Sequence, residues 1–128
     1  MAQRILKIIE TAYRGTLEEQ DDPIVWLAHT LRGQGADVDV LLRGNAVNYL
    51  VRGQDAAGLA FGRKRQTQPP RLDADVGALV DKGVSVYYVE EDVRARGLAR
   101  EELLAKAQPI AQAALPELLG RYEQVWHF

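Results

Sequence analysis

The sequence predicts a three-layer α/β/α domain on a mainly parallel five-stranded sheet. Short apolar runs rich in Val, Ile and Tyr alternate with stretches of helical periodicity along the whole chain. Several runs are apolar almost throughout, as strands covered on both faces require. The chain has 128 residues, 47% apolar and 27% charged, which suits a single globular domain spanning 1–128. No internal repeat breaks this pattern, and right-handed crossovers are the default connection.

The elements follow in order. Ile5 to Ile9 reads as a buried strand, and TAYRGTLEEQ after it as a polar loop. Asp22-Pro23 starts a helix cleanly: Asp22 can accept from free backbone N–H groups, and Pro23 suits the first helical position. Ile24, Leu27, Ala28 and Leu31 then mark one apolar face, and Gly33 or Gly35 ends the helix. ADVDVLL is the second strand, and RGNAVNYLVRG turns at Gly44-Asn45 into one or two helical turns. The pattern weakens from Gln54 to Arg71. Leu72, Val76, Leu79 and Val80 predict another helix, ended by Gly83.

Val86 to Val89 is the third strand, followed by a charged loop, EEDVRARG. Arg100 to Lys106 reads as a short helix and Ala107 to Ile110 as a very short strand. Gln112 to Arg121 is a helix with Pro116 placed in its first turn; deeper inside, proline would cost about 3 kcal/mol. Tyr122 to Phe128 is the last strand. In such sheets ligands sit outside the C-terminal strand ends, here after Glu10, Leu42, Val89 and Ile110.

Composition excludes several chemistries. The chain has no cysteine, which removes disulfides, thiolate metal sites, Fe–S clusters and any thiol nucleophile. A net charge of −2 provides no global field toward nucleic acid or anionic lipid. MAQRILKIIETAYRG does not read as a signal peptide, and no apolar run approaches the roughly 20 residues that cross a membrane. We therefore expect a cytoplasmic protein with no membrane or nucleic-acid partner, no cofactor and no metal. The Gly33-Gln34-Gly35 pair lies between a helix and a strand, the reverse of a dinucleotide loop, and no GxxxxGK[ST], GxSxG or HExxH motif occurs.

Four stretches together resemble the DsrE/DsrF-like family, which includes sulfur-relay subunits. They are the opening ILKIIET, then VDVLLRGNAV, then LVDKGVSVYYVEEDVRARGL, and the ending ELLGRYEQVWHF. The third is the specific one, being similar to the family pattern LxxxGVxVyvCxxCxxARGL. The resemblance spans nearly the whole chain. It implies the five-stranded sheet between helix layers and assembly as trimers, hexamers or mixed rings of related subunits. Aligned on Gly83-Val84 and Ala95-Arg96-Gly97-Leu98, the family's cysteine positions fall at Val89 and Asp92. Sulfur relay needs a thiolate that attacks and carries the sulfur. Neither residue supplies one, so the sequence predicts a non-catalytic member with a structural, regulatory or ligand-binding role, not a persulfide carrier.

Candidate binding residues cluster at the predicted strand ends. Glu90, Glu91 and Asp92 could hold a hard cation or act as an acid/base pair; the alternative, which we favour, is a solvated turn capped by Asp92. Arg94, Arg96 and Gly97 could bind an anion, although an Arg96 ion pair and a positive φ at Gly97 explain them as well. Tyr13, Arg14 and Gly15 follow strand one, and Gly44, Asn45 and Asn48 follow strand two. Together with the acids and Arg96-Gly97 they could line a small polar pocket, or be ordinary turn residues. An altered enzyme would use the acids with Arg96, and an anion-binding module Arg14, Asn45 and Arg96. The basic stretch FGRKRQTQPPR carries a single aromatic, so a solvated flexible loop is expected there over a nucleic-acid patch. His29 and His127 are not expected to converge on zinc. Trp26 and His29 mark either a subunit contact or a second buried helix face.

Overall fold

The computed structural model describes residues 3–12, 22–54, 58–69 and 71–128. All five sequence-predicted strands are present, with ends shifted by up to two residues: β1 (Arg4–Ile9), β2 (Asp37–Leu42), β5 (Val86–Val89), β6 (Gln108–Ile110) and β7 (Gln124–His127). They form one sheet in the order β6-β5-β2-β1-β7, and every pairing is parallel. Two more strands, β3 (Ala60–Phe61) and β4 (Lys64–Arg65), make a separate antiparallel hairpin.

The side-chain alternation of the strands divides the core. One face carries Ile9, Val40, Leu42, Val86 and Tyr88. These pack under α1 (Pro23–Gly33), α2 (Leu72–Asp81) and the 3-10 segment Gly44–Leu50. The opposite face carries Leu6, Ile8, Leu41 and Val89, covered by Leu115 and Leu118 of the short helix α4 (Leu115–Leu119) and by Tyr122. Each such side chain contributes about 1.5–3 kcal/mol on burial. The layers are therefore unequal: two full helices on one side, five helical residues on the other.

Local chemistry explains the main covering helix. Asp22 accepts from the N–H groups of Ile24 (2.9 Å) and Val25 (3.1 Å) and takes the Tyr49 hydroxyl at 2.6 Å. The apolar stripe of α1 is rotated from the sequence expectation. Val25 and Ala28 are its buried residues, while Ile24, Leu27 and Leu31 are half-buried. Lys7, in the middle of β1, is fully buried and donates to the Ile24 carbonyl at 2.6 Å. This contact ties β1 to the first turn of α1. The helix runs through Gly33, and Gly35 takes the left-handed turn, φ 86°.

Several sequence expectations are corrected. The predicted charged loop after β5 is a helix, α3 (Glu90–Ala95). The predicted Arg100–Lys106 helix is a single 3-10 turn, Arg100–Glu102. The chain past it bridges Val51 through Leu103 and turns at residues 105–106 before β6. The Gln112–Arg121 helix divides into a 3-10 turn, Gln112–Ala114, and α4, with Pro116 in the first turn of α4 as expected. The basic stretch is not a plain loop: within it Phe61 pairs with Lys64 across β3 and β4, and Gln66 N–H donates to the Leu59 carbonyl at 2.8 Å. Trp26 is 54% exposed, so it belongs to no second buried face of α1.

Candidate functional site

The chain reaches the C-terminal edge of the sheet four times with chemistry to offer: at Glu10, at Arg43-Gly44-Asn45, at Glu90-Glu91-Asp92 and at His127. Gly44 must be glycine here. Its φ is +56°, and a Cβ would meet the Glu10 Cγ at 3.2 Å and the Glu10 carbonyl at 3.4 Å.

The acidic run is the first turn of α3. Carboxylates there face the unpaired N–H end of the helix, each contributing about 0.3–1 kcal/mol when exposed. The acids then diverge to separate partners. Glu90 lies 3.7 Å from Arg94 and 3.4 Å from Arg100, both on the surface. Glu91 accepts from the Gln112 N–H with both oxygens, at 3.1 and 3.0 Å, and so holds the turn after β6. Asp92 accepts from the Gly44 N–H at 2.8 Å, joining α3 to the turn after β2. Among the described residues no group of three or more His, Asp or Glu side chains is placed to hold a metal ion.

Arg96 completes the same brace. Its Nε and one terminal nitrogen donate to the Asn45 Oδ1 at 3.0 and 2.8 Å, and its other nitrogen reaches the Asp92 carbonyl at 3.1 Å. Gly97 follows at φ +67°, which lets the Leu98 N–H turn back to the Val93 carbonyl at 3.2 Å. Asn45, Asp92, Arg96 and Gly97 are thus brought together, bonded to one another and to backbone. Glu90 and Glu91 point away from that group, so the expected single pocket does not gather all these residues. Tyr13 and Arg14 lie outside the described residues.

The positions that align with the family cysteines differ in kind. Val89 ends β5, is 1% exposed and packs in the core under α4. Asp92 is half-buried and bonded to Gly44. The histidines are apart. His29 contacts the Asp75 carbonyl through Nε2 and Lys82 through Nδ1, each at 2.8 Å. His127 meets Glu10 at 2.8 Å, with Arg43 3.8 Å from the other Glu10 oxygen. The Arg43 Nε is buried without a hydrogen bond.

That Glu10–Arg43–His127 group was missed in the sequence. It sits where the strand order reverses, since β1 is followed by β2 on one side and flanked by the last strand, β7, on the other. Only the adjacency of β1 and β7 puts residues 10 and 127 in contact. The acidic run did carry a signal: acids, then Val-Arg-Ala, then Arg-Gly is the start and stop pattern of a short helix.

No family model matches the chain, and no curated protein matches it. Solved structures do. The ychN protein from E. coli superposes with a TM-score of 0.76 at 20% identity, over 98% of this chain and 99% of that one. MTH1491 from Methanobacterium thermoautotrophicum, a protein of unknown function, superposes with a TM-score of 0.59 at 16% identity, over 98% and 99%. At these identities the likeness is one of fold: the α/β architecture with its parallel five-stranded sheet is shared along the full chain.

Proposed function

We propose that this chain is a non-catalytic DsrE/DsrF-like protein that acts through assembly and small-ligand binding in sulfur-related metabolism, without carrying sulfur itself. One observation carries the reading. The places where the relay thiols would stand hold a buried valine and a carboxylate that braces a backbone N–H. The surrounding polar residues, Asn45, Glu91 and Arg96, are likewise engaged in holding strand ends together. Trp26 and Phe61, 54% and 66% exposed, are the kind of surface aromatics that interface cores enrich, and they favour association with further copies or related subunits.

Light scattering at micromolar concentration tests the assembly, with trimers or hexamers expected; a uniform monomer defeats it. Polysulfide exposure followed by intact-mass measurement tests the non-carrier role, with no stable gain of sulfur expected. A thermal shift with divalent cations, abolished by Glu91→Gln or Asp92→Asn, would instead favour a metal-dependent enzyme at this edge. A shift with sulfur oxyanions alone would favour an anion-binding module.

A further inference from the structure

A second site lies on the other side of α3, at the free edge of the sheet. A cavity of about 140 Å³ opens between β5, the edge strand β6 and the segment that connects α3 to β6. It is lined by Tyr88, Arg100, Leu103, Leu104, Ala107 and Pro109. About 150 Å³ suffices for one benzene molecule. The wall is firmly tied: Leu104 N–H donates to the Leu50 carbonyl at 3.0 Å and Arg52 N–H to the Glu102 carbonyl at 2.8 Å.

Two polar groups distinguish this cavity from a packing defect. Tyr88 is only 3% exposed, and no hydrogen bond engages its hydroxyl among the described residues, although the oxygen is not closed off from solvent. A hydroxyl that lines the cavity without a protein partner is available to water or a ligand. Arg100 lines the same cavity, and its largely exposed guanidinium pairs with Glu90 at 3.4 Å. Glu90 has a second cation, Arg94, at 3.7 Å, and so keeps a partner when Arg100 turns inward. One cation, one free hydroxyl and apolar walls match an anion with a compact apolar body.

We propose that this cavity binds a small organic monocarboxylate, its carboxylate held by Arg100 and the Tyr88 hydroxyl and its apolar body seated against Leu103, Leu104, Ala107 and Pro109. The aryl or branched-alkyl body is limited to about the size of a benzene ring. Binding exchanges the Arg100–Glu90 ion pair for an Arg100–ligand pair. The site does not depend on the assembly argued above, since a monomer would bind as well.

Titration of the full chain at low salt with benzoate, isovalerate, benzyl alcohol and inorganic sulfate, followed by amide chemical shifts, tests this. Saturable binding of benzoate or isovalerate is expected, with shifts centred on residues 88, 100 and 103–109 and none from benzyl alcohol or sulfate. Tyr88→Phe keeps the ring in the core and should weaken binding about tenfold, as should Arg100→Gln. Glu90→Gln releases Arg100 and should tighten binding by up to about fivefold, an effect a purely structural role for these residues would not produce. Urea midpoints of the three variants establish that each is folded. The proposal fails if neither carboxylate saturates, if benzyl alcohol or sulfate binds equally well, or if folded Tyr88→Phe and Arg100→Gln both bind with unchanged affinity.

Discussion

At the C-terminal edge of the sheet three successive carboxylates, Glu90 to Asp92, share the load of holding α3, the turn after β2 and the turn after β6. At the N-terminal edge one carboxylate does comparable work alone. Asp39 is 8% exposed and accepts the Tyr122 hydroxyl at 2.6 Å and the Ser85 N–H at 2.9 Å, with Arg4 3.5 Å away. Arg4 also stacks over the Tyr122 ring, 4.7 Å from its centre. The conspicuous charge cluster is half-exposed and each of its bonds is replaceable by water. The inconspicuous aspartate is buried and accepts from a buried hydroxyl. Density of charge in a sequence is thus a poor guide to energetic weight; isolation of a charge in an apolar strand is a better one.

This contrast can be broken by mutation. Asp39→Ala should have the largest effect. It leaves a buried hydroxyl and a backbone N–H without their charged acceptor, while Arg4 keeps Asp37 at 3.4 Å, and should cost about 3–5 kcal/mol in urea unfolding. A loss no larger than that of Asp92→Ala would collapse the distinction between the edges.

Tyr122→Phe should cost about 1.5–3 kcal/mol, the worth of a hydrogen bond to a charged acceptor. It also carries a pH signature. Burial first, then the hydrogen bond to Asp39 and its negative charge, push the Tyr122 hydroxyl far above the ordinary tyrosine value. The folded chain therefore retains a proton that the unfolded chain releases above about pH 10. The contribution of Tyr122 is fully present below that pH and is lost as pH rises beyond it. Wild type should lose stability above about pH 10 more steeply than Tyr122→Phe, and parallel profiles would separate Tyr122 from the network.

Asp92→Ala removes one bond to a half-buried backbone N–H and should cost about 1 kcal/mol, read as a melting-temperature drop of about 3–5 °C. Glu90→Gln should be smallest, under about 0.5 kcal/mol, because its ion pairs are exposed and screened. A Glu90 effect as large as that of Asp92 would mean that the whole acidic run, rather than Asp92 and Glu91, braces this edge.

Legibility in the sequence followed the range of each interaction. The strands were readable because short apolar runs such as ILKII and VYYV are rich in β-branched and aromatic residues and end at polar stretches. The start of α1 was readable because Asp22 bonds to N–H groups two and three residues on. The rotation of its buried stripe was not, since the sheet below selects which of several apolar positions face inward. α3 was misread as loop because a short helix is held by its neighbours rather than by its own propensity. The basic hairpin was missed because two-residue strands have no period to detect.

By itself, then, the sequence determined which segments form the five strands of the main sheet, where the first covering helix begins, and that no thiol chemistry can occur. All of these depend on neighbours within a few residues or on composition. Tertiary structure alone decided that β7 lies beside β1 and brings His127 to Glu10. It alone decided that Asp92 bonds to a glycine 48 residues away, and that Asp39 and Tyr122 meet across 83 residues. Those partners are selected by strand order and packing, which no local pattern encodes.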